Sequence, residues 1–310
     1  MDLFCCGMYR SCSTWQYEVA LEVLKHAKFQ GSAVKVQPLG YRTGPEYASL
    51  EKSRGFRGLV RVFKGHEGHP SYTKAMFRGK GFGLYAHRDI RDVIFSLMHK
   101  RKQNFREIIQ TGMIHQILVN DRFWRLHPQV MVQRYDDILN HPQNAILEIA
   151  EFLHVELPTG EADRIAGIYS KEANLKRTRE LKDQLAEQGI DLNDSGNAQV
   201  YDPSTLLHWN HIRPDSRGWK QSATATQRMV LQKLLGPWLL ENGYPEDDFS
   251  DLNTQKRELK SWRIDAAQGL LRCHSREISS RYHRLSQPIK RILGLGRAER
   301  NSRSVESLSE

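Results

Sequence analysis

The sequence has no long hydrophobic run and little that resembles a secretion signal. No apolar stretch reaches the roughly 18 residues that a membrane-spanning helix needs. The opening residues, MDLFCCGMYR, lack the basic start and the extended apolar segment of a signal peptide. We therefore expect a cytoplasmic protein. Its 310 residues, 39% of them hydrophobic and 26% charged, are enough for one large domain with its own core.

Cysteine is scarce, and its four positions are unevenly spread. Cys5, Cys6 and Cys12 lie close together, and the fourth is Cys273. In a cytoplasmic chain we expect these residues to be free thiols rather than disulfides. No Cys-x-x-Cys or His-x-x-x-His spacing occurs near them, so we expect no metal site.

Acidic residues are outnumbered, and the excess of positive charge is concentrated near the C-terminus. The net charge is +10, and residues 251–310 contribute +6 of it, with 13 Lys and Arg against 7 Asp and Glu. This balance indicates an anionic partner. The sequence shows no basic, aromatic-rich recognition module, so we do not expect that partner to be nucleic acid.

The character of the chain changes after Pro245, where the acidic run EDDFSDL begins. We therefore predict one domain over residues 1–250 and a basic, helical extension with a frayed end over residues 251–310. In the extension, apolar residues recur every three or four positions among basic ones: Ile278, Tyr282, Leu285, Ile289 and Ile292. Such an amphipathic helix either contacts an anionic membrane surface peripherally or packs on the domain and frays.

Short apolar runs alternate with segments of helical periodicity along the first half of the chain. This alternation is typical of a parallel sheet wrapped by helices. We predict a three-layer α/β/α fold with a central, mostly parallel five-stranded sheet and a helical C-terminal part. Gly31 is predicted to end the first helix. The predicted strands are residues 2–8, 33–39, 58–64, 81–87 and 130–135, and the predicted helices include 14–29, 89–101, 136–153, 160–169, 174–189 and 225–244.

The stretch CCGMYRSCSTWQY, residues 5–17, places a P-loop-like loop of small residues between the first strand and the first helix. Such a unit binds phosphate, because unpaired backbone N–H groups and the positive end of the helix dipole point at one spot. Ser11, Ser13 and Thr14 either cap the helix or donate to an anion, and Arg10 adds a fixed positive fork. An ordinary N-cap before an amphipathic helix is the alternative interpretation.

The loop lacks the Lys of the nucleotide triphosphatase motif G-x-x-x-x-G-K-[ST], since Cys-Ser-Thr stands where that motif would end. The acidic magnesium ligand of that class is absent too. Basic side chains stand at the ends of the later strands instead: Lys64, His66, His87 and Arg88. We infer a strongly anionic ligand bound without a metal. A P-loop nucleotide kinase stays as an alternative, which a magnesium requirement for nucleotide binding would favour.

Three later stretches carry a resemblance to a known family. YAHRDIRDVIFSL puts Arg88 at a strand end and Ser96 eight residues on. VFKGHE puts Lys64 and His66 two apart after a strand, and HIRPDSRGWK places a Gly-Trp pair before the final helix. Together with the loop Arg-Ser-Cys-Ser-Thr-Trp, these motifs resemble the sulfotransferases that use 3′-phosphoadenosine 5′-phosphosulfate (PAPS). The resemblance spans residues 2–245 and implies transfer of a sulfuryl group to a hydroxyl or amine.

The resemblance also implies which residues hold PAPS. The phosphosulfate end would contact Arg10 and the loop after it, and the 3′-phosphate would contact Arg88 and Ser96. An ion pair with Asp92 is the alternative role for Arg88. Trp15 would stack on adenine, unless it is a core residue that anchors the first helix. The complete set is Arg10, Ser11, Cys12, Ser13, Thr14, Trp15, Arg88, Ser96, Arg213, Arg217, Gly218 and Trp219, with His211 as an alternative cation.

Catalytic roles follow from the same resemblance. His66 matches the general base of the family, and Lys64, two residues earlier and pointing the same way, would offset charge on the transferring oxygens. Arg10 would stabilise the departing phosphate. Glu67 stays as an alternative base, and a solvated or structural role for His66 or for the nearby His69 is the remaining possibility.

Two residues depart from the family pattern. Cys12 stands where the family usually has Gly, so either the loop avoids a positive φ or the affinity for PAPS suffers. A PAPS-binding protein that has lost its chemistry is therefore a further alternative. Arg10 stands where many members have Lys and will not donate a proton to the leaving group. The acceptor is a small molecule, glycan or lipid that the sequence does not identify, and we expect residues 41–56 and 160–210 to line its pocket.

Overall fold

A sheet of five parallel strands forms the middle layer of the fold. The computed structural model describes residues 1–50, 58–194, 197, 200–210, 218–245 and 265–273. The predicted three-layer architecture is confirmed, and each predicted strand matches an observed one to within two residues at either end. In spatial order, the strands are β4 (Lys35–Tyr41), β5 (Leu59–Gly65), β1 (Asp2–Gly7), β6 (Gly81–His87) and β7 (Val130–Arg134).

Helices cover both faces of the sheet and make up most of the described residues after β7. They are α1 (Ser13–Leu24), α2 (Gly44–Leu50), α3 (Pro70–Phe77), α4 (Ile90–Arg101), α5 (Phe105–Gln110), α6 (Met113–Arg125), α7 (Tyr135–Asn140), α8 (Pro142–Phe152), α9 (Glu161–Ile168), α10 (Lys171–Glu187), α11 (Trp219–Ser222) and α12 (Ala225–Glu241).

Alternate residues of β1 enter two different hydrophobic cores. Leu3 and Cys5 pack with α1, α8 and α9 on one face of the sheet. Phe4 and Cys6 pack with α2, α3 and α6 on the other face. Because successive side chains of a strand point to opposite faces, a central strand of a covered sheet is apolar throughout. This burial explains the unbroken apolar run at the start of the sequence.

The first helix is shorter than predicted. The sequence predicts a helix over residues 14–29 that Gly31 ends, but α1 stops before this, and Lys28–Phe29 (β2) pairs antiparallel with Ser32–Ala33 (β3). Gln30 and Gly31 between these strands have φ of 51° and 81°. Positive φ at both central residues is the signature of a tight hairpin turn. Gly31 therefore closes a hairpin, and the predicted end of the helix is wrong.

Residues 265–273 form a helix that is tied to α5. Asp265 accepts hydrogen bonds from Arg106 Nε at 3.0 Å and from Gln110 Nε2 at 2.6 Å. The amphipathic pattern over residues 278–292 lies outside the described residues, and the domain boundary stays a prediction. No helix in the described part of the chain is long and apolar enough to cross a membrane.

Candidate active site

A cavity of about 1150 Å³ lies where the parallel strands end. The loop after β1, His66 after β5, Arg88 after β6 and Tyr135 after β7 all line it, and α4 and the start of α10 complete its wall. The carboxyl ends of parallel strands meet at one edge of a sheet, so residues distant in sequence face one space. Arg10 and Arg88 therefore open onto the same cavity.

The loop after β1 folds back tightly on its strand. Gly7 leaves no room for a side chain, since a Cβ there would lie 2.7 Å from Cβ of Ser13 and 3.0 Å from the carbonyl oxygen of Ala86. The buried hydroxyl of Ser11 lies 2.5 Å from the carbonyl oxygen of Met8 and 2.8 Å from that of Ala86. The Ser11 side chain, predicted to bind the ligand, is thus engaged in holding the loop in shape.

Two loop residues have a left-handed backbone, Arg10 with φ of 63° and Cys12 with φ of 68°. The loop therefore does not avoid a positive φ at Cys12. It keeps the backbone geometry that glycine would give, at a conformational cost of about 1–2 kcal/mol. Burial raises the pKa of the Cys12 thiol to about 12, so the side chain is neutral in the cavity wall.

The start of α1 has the form of an anion site. Cys12 is the N-cap residue and makes no side-chain hydrogen bond to the helix. The N–H groups of the first turn have no partner within a helix, and they lie at its positive end. Ser13, Thr14 and Trp15 of that turn line the cavity. An anion placed here would satisfy N–H groups that the protein leaves uncapped.

Lys64, near the end of β5, lies behind this loop rather than in the cavity wall. Only 1% of its surface is exposed, and Nζ donates a hydrogen bond of 2.5 Å to Oγ of Ser13. Nζ also lies 5.4 Å from the centre of the Tyr41 ring. Burial lowers the pKa of Lys64 to about 8. Lys64 is therefore not exposed to the cavity, and its charge acts there through the hydrogen bond to Ser13 at the start of α1.

His66 follows β5 and lines the cavity. Nδ1 lies 2.7 Å from the carbonyl oxygen of Gly7, and since a carbonyl only accepts, Nδ1 carries the hydrogen and Nε2 keeps its lone pair. Burial, with a smaller contribution from the charge of Lys64, lowers the pKa of His66 to about 3. The ring packs against Tyr9 with 4.6 Å between ring centres. His66 is thus a neutral imidazole that can accept a proton.

The two alternatives near His66 do not line the cavity. Glu67 is exposed. His69 is the N-cap residue of α3, and its Nδ1 accepts a hydrogen bond of 3.2 Å from the backbone N–H of Ser71. The geometry therefore favours His66 over Glu67 as a proton acceptor and gives His69 a structural role.

Arg88 forms the ion pair with Asp92 that the sequence leaves open as its alternative role, and it also lines the cavity. One of its terminal nitrogens lies 3.3 Å from the carboxylate of Asp92, and the guanidinium lies 4.1 Å from the centre of the Tyr135 ring. Its Nε is buried and has no hydrogen-bond partner among the residues that the structure describes. The second oxygen of Asp92 accepts the backbone N–H of Trp219 at 2.8 Å. The carboxylate of Asp92 thus links Arg88 to the Gly-Trp loop. Nε of Arg88 remains a donor without an acceptor among the described residues.

Arg10 and Ser96, which the resemblance assigns to opposite ends of PAPS, are in direct contact. Nε of Arg10 donates a 2.9 Å hydrogen bond to Oγ of Ser96, and a terminal nitrogen lies 3.4 Å from the carbonyl oxygen of Asn210. The two predicted anion sites therefore adjoin at this pair. Arg10 is placed between them rather than at one end only.

The predicted tryptophans are both largely buried. Trp15 is 8% exposed, packs in the core beneath α1 and also lines the cavity, so it has elements of both predicted roles. Trp219, after Gly218, lies 4.2 Å from the guanidinium of Arg91 and does not line the cavity. Outside the described residues lie three predicted side chains: His211, Arg213 and Arg217.

A family model for the sulfotransferase domain matches residues 1–199. The chain belongs to the sulfotransferase family. No protein of curated function matches the sequence at a significant level.

Two solved structures are similar to this sulfotransferase, and the first of them shows its fold. The mouse sulfotransferase SULT7A1, complexed with PAP (adenosine 3′,5′-bisphosphate), is 14% identical with a TM-score of 0.52, over 77% of this chain and 83% of its own. A retinol dehydratase in complex with retinol and PAP is 15% identical with a TM-score of 0.48, over 82% of each chain. At such low identities the similarity shows the fold alone.

The sulfotransferase cavity also contains residues that sequence analysis did not single out. Tyr41 and His208 come from segments that were expected to line the acceptor pocket, and both line the cavity. Tyr9 and Lys100 line it too and were missed. A signal for Lys100 was available, because it follows Ser96 by four residues and so shares its face of α4.

Proposed function

We propose that this sulfotransferase transfers the sulfuryl group of PAPS to a hydroxyl or amine of a small-molecule acceptor. The observation that carries the proposal is one cavity in which Arg10 and Arg88 flank the uncapped start of α1. The buried Nε of Arg88 is a donor that a phosphate oxygen would satisfy. The structure of SULT7A1, which shares the fold, holds PAP.

The size of the cavity supports a pair of ligands. At about 1150 Å³ it exceeds the range of roughly 300–1,000 Å³ that is usual for one drug-sized molecule. In the proposed arrangement, Arg88 and Ser96 would hold the 3′-phosphate, and the first-turn N–H groups with Arg10 would hold the other end. Trp15 would contact the adenine. The remaining volume beside His66 would take the acceptor.

The chemistry divides between the nucleotide and the protein. PAPS, when bound, supplies an activated sulfuryl group. His66 Nε2 would take the proton of the acceptor hydroxyl, while the hydrogen bond from Nδ1 to Gly7 fixes the ring orientation. A bound anion would offset the charge of Lys64 and so raise the pKa of His66 from its low value. Lys64 and Arg10 would stabilise negative charge on the phosphate side.

The structure and the family bear on the two alternative functions, a PAPS-binding protein without catalytic activity and a nucleotide kinase. A PAPS-binding protein without catalytic activity is the first alternative, because Cys12 stands in the loop. The loop nevertheless keeps a left-handed backbone at Cys12, and His66, which lines the cavity, keeps a free lone pair on Nε2. These features support an active enzyme. Membership of the sulfotransferase family supports sulfuryl transfer over a nucleotide kinase.

A screen with sulfate-labelled PAPS tests the proposed activity. The full chain is incubated with phenols, steroids, sugars and lipids, and products are detected by mass spectrometry. We expect at least one labelled product that does not form without enzyme. PAP binding without transfer to any acceptor class would instead support the binding protein.

The pH dependence of the reaction follows from Lys64 and His66. His66, with a pKa of about 3 before PAPS binds, stays neutral through mildly acidic pH, so kcat/KM for PAPS should show no loss near the ordinary His pKa of about 6.5. Lys64, with a pKa of about 8, is charged below that pH and loses its charge above it. We expect kcat/KM to be flat below pH 7 and to fall above pH 8. A steady-state profile with an acidic limb near pH 6.5 would contradict this.

A further inference from the structure

Lys100 is one of three cations that line the cavity without a role in the proposed nucleotide site, the others being Arg101 and Lys171. Lys100 lies in the last turn of α4 and lines the cavity. It follows Ser96 by four residues, so the two side chains share one face of the helix. The rise of the helix sets Lys100 about 6 Å further along the axis than Ser96. Since Arg88 precedes the start of α4, Lys100 is displaced away from the Arg88 end.

The surroundings of Lys100 are positive. Burial lowers its pKa to about 8, with smaller contributions from the charges of Arg10, Arg101 and Lys64. Among the described residues, no hydrogen bond or ion pair engages its ammonium group. Burial and neighbouring positive charges disfavour the charged form of an ammonium group, and a bound anion would stabilise that form.

Three carboxylates line the cavity, those of Glu18, Asp92 and Glu172, and the first two are paired with other groups. Asp92 binds Arg88 and the backbone of Trp219. Glu18 forms an ion pair with Arg177. Among the described residues, none of these three carboxylates forms an ion pair with Lys100, so an anionic ligand would supply a partner for its ammonium group.

The side of the cavity that Lys100 faces is the acceptor side. The charge of Lys100 contributes to the low pKa of both His66 and His208, each about 3, and all three residues line the cavity. His208 belongs to an aromatic group in which Tyr201 lies 5.3 Å from His208 and 5.6 Å from Tyr41, between ring centres. Flat rings and one ammonium group suit a ligand with an apolar body and an anionic substituent.

We propose that Lys100 binds a negatively charged group that the acceptor carries in addition to the hydroxyl that receives sulfate. The acceptor class is thus a hydroxylated acid rather than a neutral alcohol. This inference rests on the proposed function, because it assigns the region beside His66 to the acceptor. The alternative, in which Lys100 contacts the nucleotide, is an outcome of the test below.

The test compares an acid with its neutral ester on three proteins. The probes are 4-hydroxyphenylacetate and its methyl ester, and cholate and its methyl ester, titrated by calorimetry into PAP-loaded protein. Lys100→Met removes the charge but keeps an unbranched side chain with good helix propensity. Lys102→Met is the matched control, because Lys102 follows α4 and bonds the backbone of Asn193 outside the cavity lining.

We expect the wild type and Lys102→Met to bind at least one acid about 10-fold more tightly than its ester, as a charge-assisted contact provides. Lys100→Met should lose this preference and keep its PAP affinity within about threefold. Absence of an acid preference in the wild type, including absence of binding of all probes, would overturn the proposal. So would an unchanged preference in Lys100→Met, or a loss of PAP affinity of about 10-fold, which would place Lys100 in the nucleotide site.

Failure of the proposed function gives a different result. If the wild type binds no PAP, the proposed function is wrong, and the acid and ester titrations are then read on the nucleotide-free protein. If PAP binds and the acid preference is absent, only the assignment of Lys100 is wrong.

Discussion

His66→Ala is expected to lower kcat for sulfuryl transfer by about 100-fold or more, which is the usual contribution of a general base. The affinity for PAP should change by less than about threefold, because the proposal places the ring on the acceptor side. The hydrogen bond from His66 Nδ1 goes to Gly7, at the end of β1, and not to the first turn of α1. Removing the imidazole takes away the base that the proposal places beside the acceptor hydroxyl. Steady-state kinetics and calorimetric titration of PAP on the same preparation check both parts.

Two neighbouring residues supply the controls for His66. His69→Ala removes a second His from the same segment and a helix cap worth about 1 kcal/mol, so it should lower thermal stability and leave kcat nearly unchanged. Glu67→Gln should also leave kcat nearly unchanged, because Glu67 is exposed outside the cavity lining. A large loss of kcat in Glu67→Gln would make Glu67 the base. A collapse of PAP affinity in His66→Ala would make His66 a structural residue.

Arg88→Ala is expected to weaken PAP binding by about 2 kcal/mol or more, a factor of roughly 30, as the loss of a charge-assisted contact should. The structure adds a reason for a large effect. Asp92 now pairs with Arg88, and without that guanidinium its carboxylate would face the 3′-phosphate with one less positive neighbour. Calorimetric titration of PAP into wild type and variant measures the loss.

A shorter ligand and a second variant isolate the cause. Adenosine 5′-phosphate lacks the 3′-phosphate, so wild type and Arg88→Ala should bind it with nearly equal affinity. Arg88→Ala combined with Asp92→Asn should recover part of the lost PAP affinity, because the repelling charge is removed while an oxygen remains for the Trp219 N–H. A loss of PAP affinity below about threefold in Arg88→Ala would contradict the assignment of this arginine.

The sheet was predictable because its signal is local. Strands buried on both faces appear as short apolar runs, and β1 and β6 are such runs bounded by loops. The hairpin of Lys28–Phe29 and Ser32–Ala33 was missed because each strand has only two residues, too few to show alternation. There the Gln-Gly turn, not hydrophobic periodicity, sets the backbone.

The residues of the site were easier to predict than their contacts. Arg10, His66 and Arg88 stand at strand ends, and parallel strands bring such ends together. Arg10 reaches Ser96 from a left-handed backbone, and the residue type at position 10 does not predict that conformation. Lys64 lies behind the loop, whereas His66 faces the cavity. The two side chains differ because β5 ends at Gly65, beyond which side chains no longer alternate strictly between the faces of the sheet.

The central claim is that one metal-free cradle of protein cations holds both ends of a bisphosphorylated adenosine. A crystal structure of the full chain with PAP, grown in the presence of EDTA, tests it most directly. We expect the 3′-phosphate to contact Arg88 and Ser96 and the 5′-phosphate to contact the N–H groups at the start of α1. A nucleotide seated outside this cavity, or with either phosphate away from these groups, would contradict the claim.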